Sequence, residues 1–364
     1  MKNTFGDSLS ITLFGESHGE AIGAVLDGVA PGIQVDEEFI DKQLSLRRPQ
    51  GRISTQRKEA DKFRIVSGVK NGRACGTPIC ILIENSDTKS EDYSLFSALP
   101  RPSHADFTGR EKYHGFEDNA GGGHFSGRIT APIVAAAAII IPALNKKGIY
   151  IGTHIKKVSE IEDREFSDYM SDIEYLSNTY FALLDNAVAE KMKEKIISAA
   201  SEGDSIGGIL ETAVIGVPSG VGEPWFDTVE SKLSHALFSV PAVKGVEFGA
   251  GFSFGCMKGS QANDVFTVNN GKIVTETNNN GGVVGGITSG MPIIIRCAIK
   301  PTPTISKPQK TVDLKTLKEE ELIAPGRHDP FIAHRARVVV DSVVALTLAD
   351  MLALRFGTDW LAKL

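Results

Sequence analysis

Ala131-Pro132-Ile133-Val134-Ala135-Ala136-Ala137-Ala138-Ile139-Ile140-Ile141-Pro142-Ala143-Leu144 is the most apolar stretch of the chain, and its reading decides what kind of fold surrounds it. It is too short for a bilayer and contains Pro142, so it reads as a buried helix, predicted over Thr130–Leu144. Working outward, strand-like apolar runs precede it at Ser8–Phe14, Ile22–Asp27, Phe63–Ser67 and Pro78–Glu84. Others follow at Ile206–Ile215, Gly249–Cys256 and Pro292–Ile299. Helical patterns occupy Asp36–Leu46, Asn186–Ser201, Asp227–Phe238 and Val338–Arg355, with Asp36 and Asp227 placed to cap their helices.

The two sides of the apolar helix resemble each other. Gly28-Val29-Ala30-Pro31-Gly32 follows a strand and precedes a helix, as does Gly216-Val217-Pro218-Ser219-Gly220. Gly76-Thr77-Pro78-Ile79 and Gly290-Met291-Pro292-Ile293 each open an apolar strand, while Arg128 and Arg337 each lead into an apolar helix. This order suggests two related halves, roughly 1–150 and 200–364, although Gly-Pro turns also recur by chance in large proteins of mixed structure. The proline-punctuated run from Lys300 to Pro308 is the stiffest connection, and no low-complexity linker divides the chain, so one integrated domain is expected.

The 364 residues suffice for a large core, and 41% hydrophobic with 23% charged residues is ordinary for a soluble globular chain. A net charge of -6 disfavours a general nucleic-acid binder. Cys75, Cys80, Cys256 and Cys297 show no metal-ligand spacing and are too few for a disulfide scaffold, so a reducing cytoplasm is the expected home. Met1 to Ser10 shows no export signal, and no metal is expected.

Chemistry concentrates in four short segments. Gly15-Glu16-Ser17-His18-Gly19 puts a hydroxyl and an imidazole on a turn at a strand end. Arg101-Pro102-Ser103-His104-Ala105-Asp106, Gly121-Gly122-Gly123-His124-Phe125-Ser126-Gly127-Arg128 and Gly326-Arg327-His328-Asp329-Pro330 combine His or Arg with Gly and Pro in the same way. His18, His104 and His328 together favour a shared acid/base site, with Asp329 able to orient or deprotonate a reacting group or simply to cap a turn. His114, His154, His235 and His334 lack such a setting and read as structural. Arg47, Arg48, Arg52, Arg57, Lys58, Lys62 and Arg64 form a basic patch that suits a small polyanion, or equally a solvated loop; Arg47 and Arg48, beside Pro49 and Gly51, are the stronger candidates. The glycines at 121–123 and 281–290 match neither a dinucleotide fingerprint nor a P-loop, which weighs against Rossmann-type NAD binding and ATP hydrolysis. The residues alone point to proton transfer on a small phosphorylated or carboxylated metabolite, with the cofactor left open.

The same four segments, in this order from Gly6 to about Leu354, resemble the signature stretches of the chorismate synthase family. That resemblance implies anti-1,4 elimination of phosphate from 5-enolpyruvylshikimate 3-phosphate to chorismate, with reduced FMN required but no net redox. It implies an α+β fold, a βαβ sandwich with helices between two antiparallel sheets, assembled as a homotetramer. By the same resemblance His18 protonates the leaving phosphate, His104 serves the flavin, and Ser17 and Asp329 help collect the substrate proton. Arg47, Arg48, Arg52, Arg128 and Arg337 would hold phosphate and carboxylates; Ser126, Ala242, Gly285, Lys300, Pro301, Thr302, Pro303, Thr304 and Arg327 would contact flavin. NADPH enters only indirectly, for flavin reduction by this chain or by an external flavin reductase.

The chain departs from the usual family pattern at His124-Phe125-Ser126-Gly127-Arg128-Ile129-Thr130, at Phe331, at Pro303-Thr304 and at Gln50. Two rival readings accompany the first. An FMN-dependent oxidoreductase would consume NAD(P)H in proportion to product, and a non-catalytic flavin- or phosphometabolite-binding protein would bind without turnover. Retention of His18, His104 and Asp329 argues against the latter.

Overall fold

A computed structural model describes every residue except 1, 52, 55–60, 86–93, 326–327 and 364. The first half builds an antiparallel sheet from β1 (Thr4–Phe5), β2 (Ser10–Gly15), β3 (Ala21–Asp27), β4 (Phe63–Ser67) and β5 (Ile79–Glu84), ordered β1-β2-β3-β5-β4. Strand alternation places Ile79, Ile81 and Ile83 on the buried face, and the register sets Ile83 beside Ile22 and Ile81 beside Ala24, both also buried. Helix α1 (Glu37–Arg47) connects β3 to β4, and Asp36 caps it by accepting from the Phe39 amide at 3.0 Å. Helix α2 (Asp106–Tyr113) follows β5, and the apolar stretch forms α3 (Thr130–Lys146).

Every residue from Ala131 to Ile140 is buried. Helix α3 rests on β2, β3 and β5 and also packs against α1. The sequence expectation that this stretch is too short for a bilayer is corrected. From Gly127 to Lys146 the helical segment has 20 residues, and an 18-residue window of it has a mean hydropathy of 1.8, enough in length and composition. What makes it a core helix is its setting, with 78% of that apolar window buried inside the protein.

The second half supplies β6 (Tyr150–Val158), β7 (Ile161–Glu162), β8 (Gly208–Ile215), β9 (Val243–Phe248) and β10 (Ile293–Ile299), an antiparallel sheet ordered β9-β10-β8-β6-β7. Its helices are α4 (Tyr169–Leu176), α5 (Ala189–Ser201), α6 (Val229–Ser239) and α7 (Ala333–Phe356). Helix α7 lies on β6 and β8 and packs against α3, α1 and α6. The fold class is α+β. The strand order β2-β3-β5-β4 is repeated as β6-β8-β10-β9, with α1 and α6 following the second strand and α3 and α7 the fourth. One apolar cluster takes residues from both sheets and from the helices.

Helices α2 and α4 were not expected, α7 begins at Ala333 rather than Val338, and three further elements differ from expectation. Gly249–Cys256 is not a strand: Gly249 and Gly251 both have φ +55, and the Phe252 amide donates to Glu247 at 3.0 Å, which winds Gly251–Cys256 into a 3-10 helix. The strand lies just upstream, at β9. The helix predicted from Asp227 starts at Val229, where the Thr228 hydroxyl accepts from the Ser231 amide at 2.9 Å. Strand β6 was not foreseen, because Lys156, Lys157 and His154 interrupt its apolar run; His154 is nevertheless fully buried, 2.7 Å from Asp163 and 3.2 Å from Glu211.

Candidate active site

Gly121, Gly122 and Gly123 form a strap with φ values of 62°, 86° and 52°, conformations natural to glycine. A Cβ on Gly121 would lie 1.9 Å from the Cε1 and Nδ1 atoms of His18, so the imidazole rests directly on the bare backbone. A Cβ on Gly122 would lie 3.4 Å from His104 Cε1 and 3.7 Å from Ser126 Cβ. Two histidines distant in sequence therefore meet on adjacent glycines, with Ser126 beside them.

The turn bearing His18 is held on both sides. The Ser17 amide donates to the Gly123 carbonyl at 3.1 Å, His124 Nδ1 lies 2.8 Å from the Gly15 carbonyl, and Asn85 Nδ2 donates to the carbonyls of Glu16 at 3.0 Å and Gly19 at 2.9 Å. Ser17 itself is buried.

His104 is oriented by two residues that the sequence reading did not assign a role. Its Nδ1 lies 2.7 Å from Asp106, and Arg101 grips the same carboxylate at 2.7 and 2.8 Å while lying over the Phe96 ring. Arg101 Nη2 is 3.1 Å from His104 Nδ1, but a guanidinium only donates, so the ring N–H goes to Asp106. Burial alone would raise the Asp106 pKa; hydrogen bonds from Arg101 and His104 outweigh it and hold this carboxyl well below the usual range. His104 Nε2 takes no part in this pairing.

Part of the expected flavin set gathers beside this loop. Lys300 Nζ donates to the Ser103 carbonyl at 2.6 Å, the Lys300 amide donates to Ala242 at 2.9 Å, and Ser205 Oγ donates to the Thr302 carbonyl at 2.7 Å. Burial and the neighbouring Lys244 charge lower the Lys300 pKa. Thr302 Oγ1 is buried with no hydrogen-bond partner among the described residues. Pro301, Pro303 and Thr304 continue the same segment after β10. Gly285 sits in the turn joining Val283–Val284 to Ile287–Thr288, and the next residue, Gly286, packs over Glu223 and Thr228 at the start of α6. Arg52 and Arg327 lie outside the described residues.

The arginines converge on a buried carboxylate. Asp61 pairs with Arg128 and lies 3.9 Å from both Arg47 and Arg48; Arg128 also donates to Asn85 at 3.2 Å, linking this cluster to the His18 turn. Arg335 donates to the Arg47 carbonyl at 2.7 Å and pairs with Asp329. His328 Nε2 donates to the Ala324 carbonyl at 3.0 Å. Arg337 is not brought to this cluster. It is fully buried, 3.4 Å from Asp341, and donates to the Thr179 carbonyl at 2.7 Å. Two residues apart on α7, Arg335 and Arg337 project to different sides, and Arg335 is the one beside α1 and Asp329.

The family profile of chorismate synthase matches residues 9–353. The chain belongs to the chorismate synthase family. Among curated relatives, the chorismate synthase of Pyrococcus abyssi is 47% identical over 350 residues, covering 96% of this chain and 97% of that protein. That of Thermococcus kodakarensis is 45% identical over 358 residues, covering 98% and 99%. A crystal structure of chorismate synthase superposes with a TM-score of 0.77 at 29% identity, covering 97% of this chain and 94% of that one. The chain is therefore a lyase of the chorismate synthase family acting on a small molecule, and the histidine-bearing strap lies within the matched region.

Proposed function

We propose that the protein converts 5-enolpyruvylshikimate 3-phosphate to chorismate by anti-1,4 elimination of phosphate, the last common step of the shikimate pathway, using reduced FMN without net redox. The observation that carries this reading is the meeting of His18 and His104 on Gly121 and Gly122, beside a cluster containing Arg47, Arg48 and Arg128. The arginines hold the substrate's phosphate and carboxylates, replacing water with fixed donors. His18 gives a proton to the departing phosphate, and Ser17 and Asp329 assist removal of the ring proton.

The residues present fit a flavin. Thr302 offers a buried hydroxyl without a hydrogen-bond partner among the described residues, in a segment that runs past the His104 loop. Ser126, Ala242, Lys300 and Thr302 would hold reduced FMN, with Pro301, Pro303, Thr304, Gly285 and Arg327 completing its surroundings. The reduced flavin, when bound, supplies electron density that eases loss of phosphate and an acceptor for the ring proton. Asp106 keeps the His104 N–H engaged, so that Nε2 would be left to hold or release a proton.

In the same reading the helices form the middle layer of a βαβ sandwich, and the repeated strand order stems from duplication within one domain. The chain works in the cytoplasm as a homotetramer, and its flavin is kept reduced by NADPH, directly or through a separate reductase. Exposed apolar side chains on the Phe266–Asn269 and Lys272–Thr275 hairpin support the assembly. Replacing His18 or His104 with Ala should lower anaerobic chorismate formation by about 100-fold or more while the protein stays folded. Undiminished rates in both variants would reject the reading.

A further inference from the structure

The strap that carries both histidines is held through its backbone, by the Ser17 amide on the Gly123 carbonyl at 3.1 Å and the Gly122 amide on the Asn119 carbonyl at 3.0 Å, but its glycines have no side chains to pack. Two residues immediately after them supply side-chain anchors. His124 Nδ1 lies 2.8 Å from the Gly15 carbonyl, which can only accept, so the ring must carry its proton on Nδ1. This bond ties the strap to the end of β2, three residues before His18. Phe125 reaches the other way: a Cβ on Gly109 of α2 would fall 2.8 Å from its ring, and Tyr113 meets it edge-on at 5.9 Å. Helix α2 begins at Asp106, the carboxylate that orients His104.

We propose that His124 is a positioning residue for the elimination: its Nδ1–H bond to Gly15, with Phe125 anchoring the far side, sets how His18 faces His104 across the strap. His124 acts through His18 and touches no reacting atom. This rests on the reading that His18 and His104 share one acid/base site. With the His18 ring in direct contact with Gly121, movement of the strap by about 1 Å moves a proton donor relative to its target, which can cost about 100-fold in rate.

The test compares two substitutions of similar size. His124→Leu removes the donor, whereas His124→Asn places an amide N–H near the former Nδ1. Under anaerobic turnover with reduced FMN, His124→Leu should lower kcat by about 30- to 100-fold with KM changed less than about threefold, and His124→Asn should stay within about fivefold of the parent. The double variant His18→Ala/His124→Leu should be no slower than His18→Ala alone, because one residue acts through the other. Full kcat in His124→Leu, equal losses in the Leu and Asn variants, or additive losses in the double variant would overturn the proposal. If His18→Ala alone keeps full activity, the acid/base reading itself fails, a separable result. Should His124→Leu not fold, ring ¹⁵N spectra of the parent protein decide: a neutral His124 protonated on Nδ1 supports the bond, and one protonated only on Nε2 refutes it.

Discussion

The strap makes three neighbouring Gly→Ala substitutions behave differently, and the differences follow from its surroundings. At Gly121 the new methyl would stand 1.9 Å from the His18 ring, about 1.5 Å inside normal contact, so imidazole or strap must move by that amount. A displacement of this size at a proton donor is worth about 100-fold in kcat, or about 2.7 kcal/mol of activation free energy. At Gly122 the methyl would meet His104 at 3.4 Å, an ordinary contact, so kcat should stay within about threefold of the parent. Both substitutions carry a similar backbone cost, about 1–3 kcal/mol, because φ is +62° at Gly121 and +86° at Gly122. At Gly123 the methyl would strike the Asp118 carbonyl oxygen at 1.7 Å, which cannot step aside, so stability rather than kcat should suffer most. Anaerobic single-turnover rates and urea midpoints on the three variants separate these effects. Equal kcat in Gly121→Ala and Gly122→Ala would refute the contact between strap and His18.

Four further outcomes are expected. Asp106→Asn removes the charge paired with buried Arg101 and loosens His104, so urea unfolding should show a loss of about 3 kcal/mol together with a fall in kcat. Asp350→Ala strips a fully buried acceptor from the amides of Asp7, Ser8 and Leu9, at 3.1, 2.7 and 2.9 Å, and should cost about 3–5 kcal/mol in the same assay. Burial, helped by the Arg335 charge, pulls His334 down to about 3, while the unfolded ring titrates near 6.5. Between those values the unfolded chain holds a proton that the native chain lacks, so stability falls with falling pH. The loss from this group is about 2 kcal/mol between pH 8 and pH 5, and His334→Gln should flatten that slope in urea midpoints. Val268→Glu with Ile273→Glu puts charge on side chains that are 70% and 73% exposed, and sedimentation should then show a smaller assembly than the parent's.

Much of the fold was legible because local chemistry and burial agree. The apolar run of Ala131–Leu144, the Asp36 cap and the Gly-Pro openings of β5 and β10 all signal their elements directly. Strand β6 escaped because its charged residues are neutralised by partners distant in sequence, as His154 is by Asp163 and Glu211. Gly249–Cys256 misled because its apolar residues suit a strand, whereas positive φ at two glycines depends on Glu247 and Arg296 reaching back to it. In the site, the four His and Arg segments were visible, but not that Gly121 and Gly122 each carry one imidazole. Asp106 and Arg101 stood in a quoted segment, and only their geometry around His104 reveals what they do. That Arg335 rather than Arg337 lies beside Asp329 was not legible, since linear sequence does not tell which side of α7 faces Asp329 and which faces Asp341.

The central claim is an elimination without net redox, and counting every product in one vessel tests it most directly. Purified protein, chemically reduced FMN in a small known amount and excess 5-enolpyruvylshikimate 3-phosphate are mixed anaerobically, and chorismate, phosphate and flavin absorbance are followed together. The account predicts chorismate and phosphate in equal yield, many equivalents per flavin, with the flavin still reduced at the end. Flavin oxidised in proportion to product, or phosphate released without chorismate, would contradict it.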